Sequence, residues 1–145
     1  MGFLGESTYK VDEKGRVPIP PKFRGELQKG MVLSRGIEKC IRIFPLTEWE
    51  KEKAKVSVLP NNDKGRAFKR FFFGGAYEEK MDRLGRIPLP PVLRQYAQIG
   101  DTVVISGTDS FLELWNAEKW QAENVRNEED IWQTAEILAS QQHPL

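Results

Sequence analysis

The chain has a single cysteine, Cys40, and a single histidine, His143, among its 145 residues. One cysteine excludes an internal disulfide and any cysteine-cluster zinc site. One histidine, beside a proline close to the C-terminus, gives a histidine-based acid, metal site or triad nothing to build on. Neither Gly-x-x-x-x-Gly-Lys-Ser/Thr nor Gly-x-Gly-x-x-Gly occurs, so the phosphate-cradling loops of nucleotide enzymes are missing, and FFFGGAY merely joins a helix to a strand. No apolar run approaches the roughly 20 residues of a membrane helix. The opening MGFLGESTYK has neither the basic start nor the apolar stretch of a signal peptide. The expectation is a cytoplasmic protein with no cofactor, no metal, no small-molecule substrate and no membrane partner, and with no positive sign of an enzyme.

A composition of 39% hydrophobic and 30% charged residues is that of a folded globular chain. Net charge is also nearly absent, at +1, but that figure conceals an uneven distribution. Residues 1–105 hold 20 Lys/Arg against 13 Asp/Glu, a balance of +7, and residues 106–145 hold 2 against 8, a balance of −6. A basic body points to an anionic partner, because nucleic-acid binding works through local basic patches rather than whole-chain charge. A solvated acidic helix beside an ordinary basic surface explains the same numbers, so charge alone leaves both open.

What the sequence does contain is a duplication. Residues 10–24 read KVDEKGRVPIPPKFR and residues 80–94 read KMDRLGRIPLPPVLR, at an offset of 70. The correspondence runs outward from Phe3-x-Gly5 and Phe73-x-Gly75 to Gly30 and Gly100. After one inserted residue, Ile41, Ile43, Phe44 and Trp49 match Leu112, Leu114, Trp115 and Trp120. The repeat therefore covers a whole module, over 3–50 and 73–121, with a linking helical segment at 51–72 and an acidic C-terminal helix and tail at 122–145. Halves of about 70 residues, each holding one such module, bury too little surface to be secure alone. They are expected to share a core.

Each module reads as strands followed by a helix. Strands are expected at 7–11, 16–19, 31–35 and 40–44, with a second hairpin at 102–106 and 111–115 around the turn at 107–110. Prolines 18, 20 and 21 cannot donate to a ladder, so the strand at 16–19 must be short or turn those nitrogens away from a partner. Pro21 suits the first turn of a short helix through Leu27. Thr47 is expected to cap a helix over 48–56 with Glu50 as its capping-box partner. Asn62 or Asp63 starts a helix in which Phe68, Phe71 and Phe72 share one face, as core or subunit contact. Asn116 caps a longer helix to about Ser140. Cys40 begins an apolar strand and reads as core.

The Asp-x-x-Gly-Arg phrase carries the chemistry. Asp12 and Asp82 can accept hydrogen bonds from backbone N–H groups two or three residues ahead and so shape a turn. Gly15 and Gly85 permit a positive φ there. Arg16 and Arg86 then emerge from a rigid turn with a fork of donors suited to phosphate or to the O6/N7 edge of guanine. Glu13 and Lys14 in one copy, and Arg83 in the other, occupy the tips. Pairing of Asp12 with Arg16, and of Asp82 with Arg86, is the purely structural alternative. For Arg24 and Arg94, which follow the short helices, phosphate contact and a structural ion pair are both open, and the structural role is favoured.

DEKGRVPIP and DRLGRIPLP, each after a strand and in tandem, resemble the motifs of the MraZ family of bacterial transcriptional regulators, the tandem branch of the AbrB-like (SpoVT/AbrB) swapped-hairpin proteins. The resemblance covers nearly the whole chain. It implies a mainly β fold with peripheral helices (α+β), in which the two modules intertwine into one swapped-hairpin β-barrel within the chain, and subunits that assemble as a homo-oligomeric ring. It further implies a nucleoid-associated regulator that binds double-stranded DNA at short G-rich direct repeats upstream of the division and cell-wall gene cluster and restrains its transcription. On the matching positions it assigns DNA contact to Arg16 with Lys14 beside it, and to Arg86 with Arg83 at the second tip. Leu84 stands where the first copy has Lys14, so the two turns are not equivalent. The rival expectations are an AbrB-like antitoxin acting through its acidic tail, a ring scaffold that binds no DNA and, least favoured, a small enzyme using the turn carboxylates.

Overall fold

The computed structural model describes residues 2–141, so His143 lies outside the described residues. The first half contributes strands β1 (Glu6–Lys10), β2 (Arg16–Pro18), β3 (Met31–Arg35) and β4 (Ile41–Pro45). The second half contributes β5 (Tyr77–Glu79), β6 (Arg86–Pro88), β7 (Thr102–Gly107) and β8 (Leu112–Trp115). These form a six-stranded antiparallel sheet in the order β1-β7-β8-β4-β3-β5 and a separate two-stranded ribbon, β2-β6.

Among the described residues, only the hairpins β3-β4 and β7-β8 pair within their own half. Every other ladder crosses between halves: β1 on β7, β5 on β3, β4 on β8 and β2 on β6. The fold is thus two tandem AbrB-like modules that exchange strands. The repeat also defines the internal symmetry. Val17 lies opposite Ile87, its counterpart at offset 70, and Arg42 lies opposite Glu113, its counterpart at offset 71. An approximate two-fold axis therefore passes through the middle of both the ribbon and the sheet.

In one respect the expected barrel differs from what is found, because the sheet stays open, with β1 and β5 as unjoined edges. The ribbon closes over one face of the sheet by packing instead of by a continuous ladder. Its prolines explain this. Ile19 donates to the Gly85 carbonyl and Leu89 to that of Gly15, so Pro18 and Pro88 fall at positions whose nitrogens face away from the partner strand. Pro20 and Pro90 then cap helical turns, with Pro21 and Pro91 in the first turn. Each ribbon strand is consequently only three residues long.

Alternation directs Val17, Ile19, Ile87 and Leu89 inward, where they meet Leu33, Ile41, Ile43, Ile105, Leu112 and Leu114 in one buried core. A turn of 3-10 helix (Pro21–Phe23) leads into α1 (Arg24–Leu27), and its counterpart is α4 (Pro91–Ala97). The opposite sheet face is covered by α2 (Leu46–Ser57), α3 (Asp63–Gly74) and α5 (Ala117–Arg126). Trp49 stacks on Phe72, Phe44 packs beside Trp49, and Trp115 meets Trp120. Phe68, Phe71 and Phe72 belong to this aromatic layer, with Phe68 stacked on Phe72 and Phe71 against Tyr96. Asn62 and Asn116 cap their helices, accepting from the backbone N–H of Gly65 and Lys119. Thr47 does not: β4 runs through Pro45 straight into α2, which starts at Leu46 without a side-chain cap. The expected long C-terminal helix is also two, α5 and α6 (Glu128–Gln141), broken at Asn127. None of the described helices is long and apolar enough to cross a membrane.

Candidate nucleic-acid interface

The two Asp-x-x-Gly-Arg turns flank the ribbon. Asp12 Oδ1 accepts from the backbone N–H groups of Lys14 and Arg16, both at 2.9 Å, and Asp12 Oδ2 accepts from Arg16 Nε at 2.8 Å. Asp82 repeats the pattern with Leu84 and Arg86 at the same three distances. The hydrogen bonds therefore come from two and four residues ahead. Gly15 and Gly85 sit at φ +76°, in the left-handed region that a side chain would strain. The Arg16 backbone N–H is the chief cause holding the Asp12 carboxyl below its ordinary value, followed by the Arg16 side chain and the Lys14 N–H, and these outweigh partial desolvation. Asp82 is held down in the same way by Arg86 and Leu84.

Because Val17 and Ile87 point inward, Arg16 and Arg86 point outward beside the approximate axis, opposite Pro88 and Pro18 respectively. The aspartate–arginine pairs named as the structural alternative are thus present. They occupy only the Nε side of each guanidinium. The two terminal nitrogens of Arg16 make no hydrogen bond among the described residues, which leaves a two-donor edge facing out. Arg86 differs, since its Nη1 lies 4.0 Å from Asp12 Oδ2 and so is drawn toward a second carboxylate. At the tips Glu13, Lys14, Arg83 and Leu84 are all exposed. The result is a short two-stranded antiparallel ribbon, rigid at both turns and carrying two arginines at its centre. A ribbon of this kind fits the major groove of B-DNA.

Arg24 and Arg94 are structural in a way that spacing does not reveal. Arg24 Nε donates to the Ile19 carbonyl, and Arg94 donates to the carbonyls of Ile99 and Gly100. These are hydrogen bonds to backbone carbonyls, a structural role met without the ion pair that was one of the two alternatives. Each arginine also lies under the turn of the opposite half: the Arg24 guanidinium fills the space a Cβ at Gly85 would need, and Arg94 Nη1 would lie 3.3 Å from a Cβ at Gly15. The repeat signals that Arg24 and Arg94 are equivalent, but only the strand exchange reveals which turn each supports.

A second polar cluster lies on the axis in the sheet. Glu38, Cys40 and Glu113 bring possible ligand atoms within 4.8 Å of one another. The Arg42 guanidinium already lies among them, 3.6 Å from Glu38 and 3.8 Å from Glu113. Burial and then the Glu113 charge push the Cys40 thiol far up, away from the thiolate form that a metal requires. This cluster reads as a guanidinium held by two carboxylates, and a metal fits it poorly.

Two halves that exchange strands into one sheet and share an arginine-bearing ribbon define a tandem swapped-hairpin protein of the AbrB-like type. The family model described as "MraZ protein, putative antitoxin-like" matches the chain twice, over residues 2–71 and 72–138, and the chain belongs to that family. It is 46% identical over 120 residues to a "Transcriptional regulator MraZ" of Herpetosiphon aurantiacus, covering 82% of this chain and 84% of that one. It is 41% identical over 140 residues to a protein of the same name from Dehalococcoides mccartyi, covering 94% and 97%. A third, from Thermus thermophilus, is 44% identical over 120 residues, covering 81% and 83%. All three are regulators by name and none is named as an enzyme.

Proposed function

We propose that this chain is a sequence-specific DNA-binding regulator of transcription, without enzymatic activity, that reads double-stranded DNA through its β2-β6 ribbon. The observation that carries this reading is the outward pair Arg16 and Arg86 on a ribbon braced by two Asx-type turns, in a chain whose relatives are named as transcriptional regulators. Arg16 is the main base contact, because its terminal nitrogens are free for the O6/N7 edge of guanine. Lys14 and Arg83 neutralise phosphates, and Arg86, shared with Asp12, contributes less. The ribbon belongs equally to the modules 3–50 and 73–121, with 51–72 as linker and 122–145 as a separate acidic end.

One ribbon contacts only a few bases, so high affinity requires several copies. A homo-oligomeric ring on short G-rich direct repeats supplies it by avidity, and such occupancy upstream of the division and cell-wall genes represses them. DNA binding also places the protein on the nucleoid in the cytoplasm. The test is a gel-shift titration against the DNA upstream of the chain's own coding sequence across a salt series. Affinity is expected to fall steeply with salt, with a log–log slope of roughly −0.9 per phosphate neutralised. Arg16→Ala is expected to abolish sequence-specific binding while the oligomer survives on gel filtration, and Arg86→Ala to weaken it less. Unchanged operator affinity in Arg16→Ala would sink the assignment, and equal loss in both variants would show that the turns act alike.

The antitoxin reading has one observation in its favour. Helix α6 is exposed along its whole length, with Glu128, Glu129 and Asp130 in its first turn and Ile131, Trp132, Ile137 and Leu138 open to solvent. Co-purification of a small basic protein with the full chain, but not with a chain ending at Asn127, would favour it.

A further inference from the structure

The approximate two-fold axis puts Arg16 and Arg86 at equivalent places on the ribbon, unequal only in the approach of Arg86 to Asp12, and positions alone would suit a near-symmetric pair of bases. Its tips break that symmetry. Lys14 and Leu84 occupy equivalent positions, and each has its backbone N–H fixed at 2.9 Å by the aspartate of its own turn. One tip carries Glu13 and Lys14, and the other carries Arg83 and Leu84. Leu84 is 64% exposed, the one apolar side chain among four tip residues that are otherwise charged.

Solitary exposed leucines are common and usually say nothing. This one is held by a rigid turn at a tip of the ribbon, exposed, where its equivalent is a lysine. Packing inside this chain does not explain it, because the side chain is mostly in solvent. Base edges in the major groove offer one apolar feature, the 5-methyl group of thymine; the rest is hydrogen-bond donors and acceptors.

Resting on the DNA-binding reading above, we infer that Leu84 is a specificity residue that packs on a thymine 5-methyl group beside the guanines read by the arginines. The bound site is therefore directional. The Lys14 side meets phosphate or a guanine, and the Leu84 side meets thymine, so a single chain distinguishes the two orientations of its site. Leu84 supplies discrimination more than affinity, since a contact to one methyl is small beside the charge–phosphate attractions.

The experiment replaces each thymine of the upstream duplex in turn by deoxyuridine, which removes only the methyl group. Wild type, Leu84→Ala and Leu84→Lys are titrated against each duplex. The wild type is expected to lose about fourfold in affinity at one thymine per bound unit, the effect of one buried methyl-sized group. Leu84→Ala is expected to bind both forms of that duplex equally. Leu84→Lys should also lose the preference and steepen the salt dependence by about one further phosphate. Methyl sensitivity that is absent in the wild type, or that persists in Leu84→Ala, overturns the inference while the DNA-binding reading stands. No sequence-dependent binding by the wild type overturns both.

Discussion

Asp12 gives one carboxylate oxygen to two backbone N–H groups and the other to the arginine it supports, so the turn and the outward Arg16 side chain are ordered by the same residue. That much is written in the Asp-x-x-Gly-Arg spacing, because an Asx-type turn is local and its hydrogen bonds span only four residues. What lies beneath the turn is not local. Gly85 is buried against Arg24, itself tied to the Ile19 carbonyl and unable to give way freely, whereas Gly15 faces the end of Arg94 with more room. Both glycines have the same positive φ, so alanine strains either. Gly85→Ala adds an overlap with the Arg24 guanidinium. It is expected to destabilise by about 1–3 kcal/mol, more than Gly15→Ala, as read from urea midpoints at unchanged m-value. Equal losses would show that Arg24 moves aside.

The elements were largely legible from patterning. β3 is found at the residues expected for it, and Asn62 and Asn116 cap as predicted, because both signals depend on near neighbours. Thr47 misled because a capping-box spelling competes with a strand that continues through Pro45, paired to Met31, up to the first helical residue. The C-terminal helix breaks where Asn127 donates its side-chain N–H to Glu123, leaving α6 as a separate acidic rod. The phenylalanines of α3 pack within the chain, against Trp49, Tyr96 and one another. Phe72 is the inner one, 4% exposed and stacked 5.2 Å from Trp49, while Phe68 is half-buried. Phe72→Ala is expected to cost about 3–5 kcal/mol, and Phe68→Ala clearly less. Chemical unfolding followed by tryptophan fluorescence distinguishes them, and a loss confined to Phe68→Ala would place the core contact wrongly.

At the scale of the whole molecule, four of the six ladders among the described residues join one half to the other. In either half alone, two of the four strands have no partner, and the ribbon strand has lost the other side of its core. Separate chains covering 1–72 and 73–141 are therefore expected to be unfolded or self-paired as dimers. Mixed together, they are expected to recover the β-sheet circular dichroism of the intact protein. A stable folded monomer from either half would contradict the exchange of strands. The same architecture holds Arg16 and Arg86 on one ribbon although 70 residues separate them in sequence. A ribbon with two arginines near its centre and two unlike tips exists only once the halves have exchanged.

Taken by itself, the sequence determined the duplication, the turns, the places where proline ends a strand and starts a helix, and the cationic residues at the tips. Each rests on spacing within a few residues or on a repeat visible by comparison. Only the tertiary structure decided which strand pairs with which. A duplicated chain presents the same strand edges twice, so pairing within a half and pairing across halves look alike in the sequence. Burial of the ribbon against a sheet built from both halves resolves the choice. That choice leaves the sheet open, sets Arg42 against Glu113 on the axis, puts Arg24 beneath Gly85, and turns KVDEKGRVPIP and KMDRLGRIPLP into the two strands of a single ribbon.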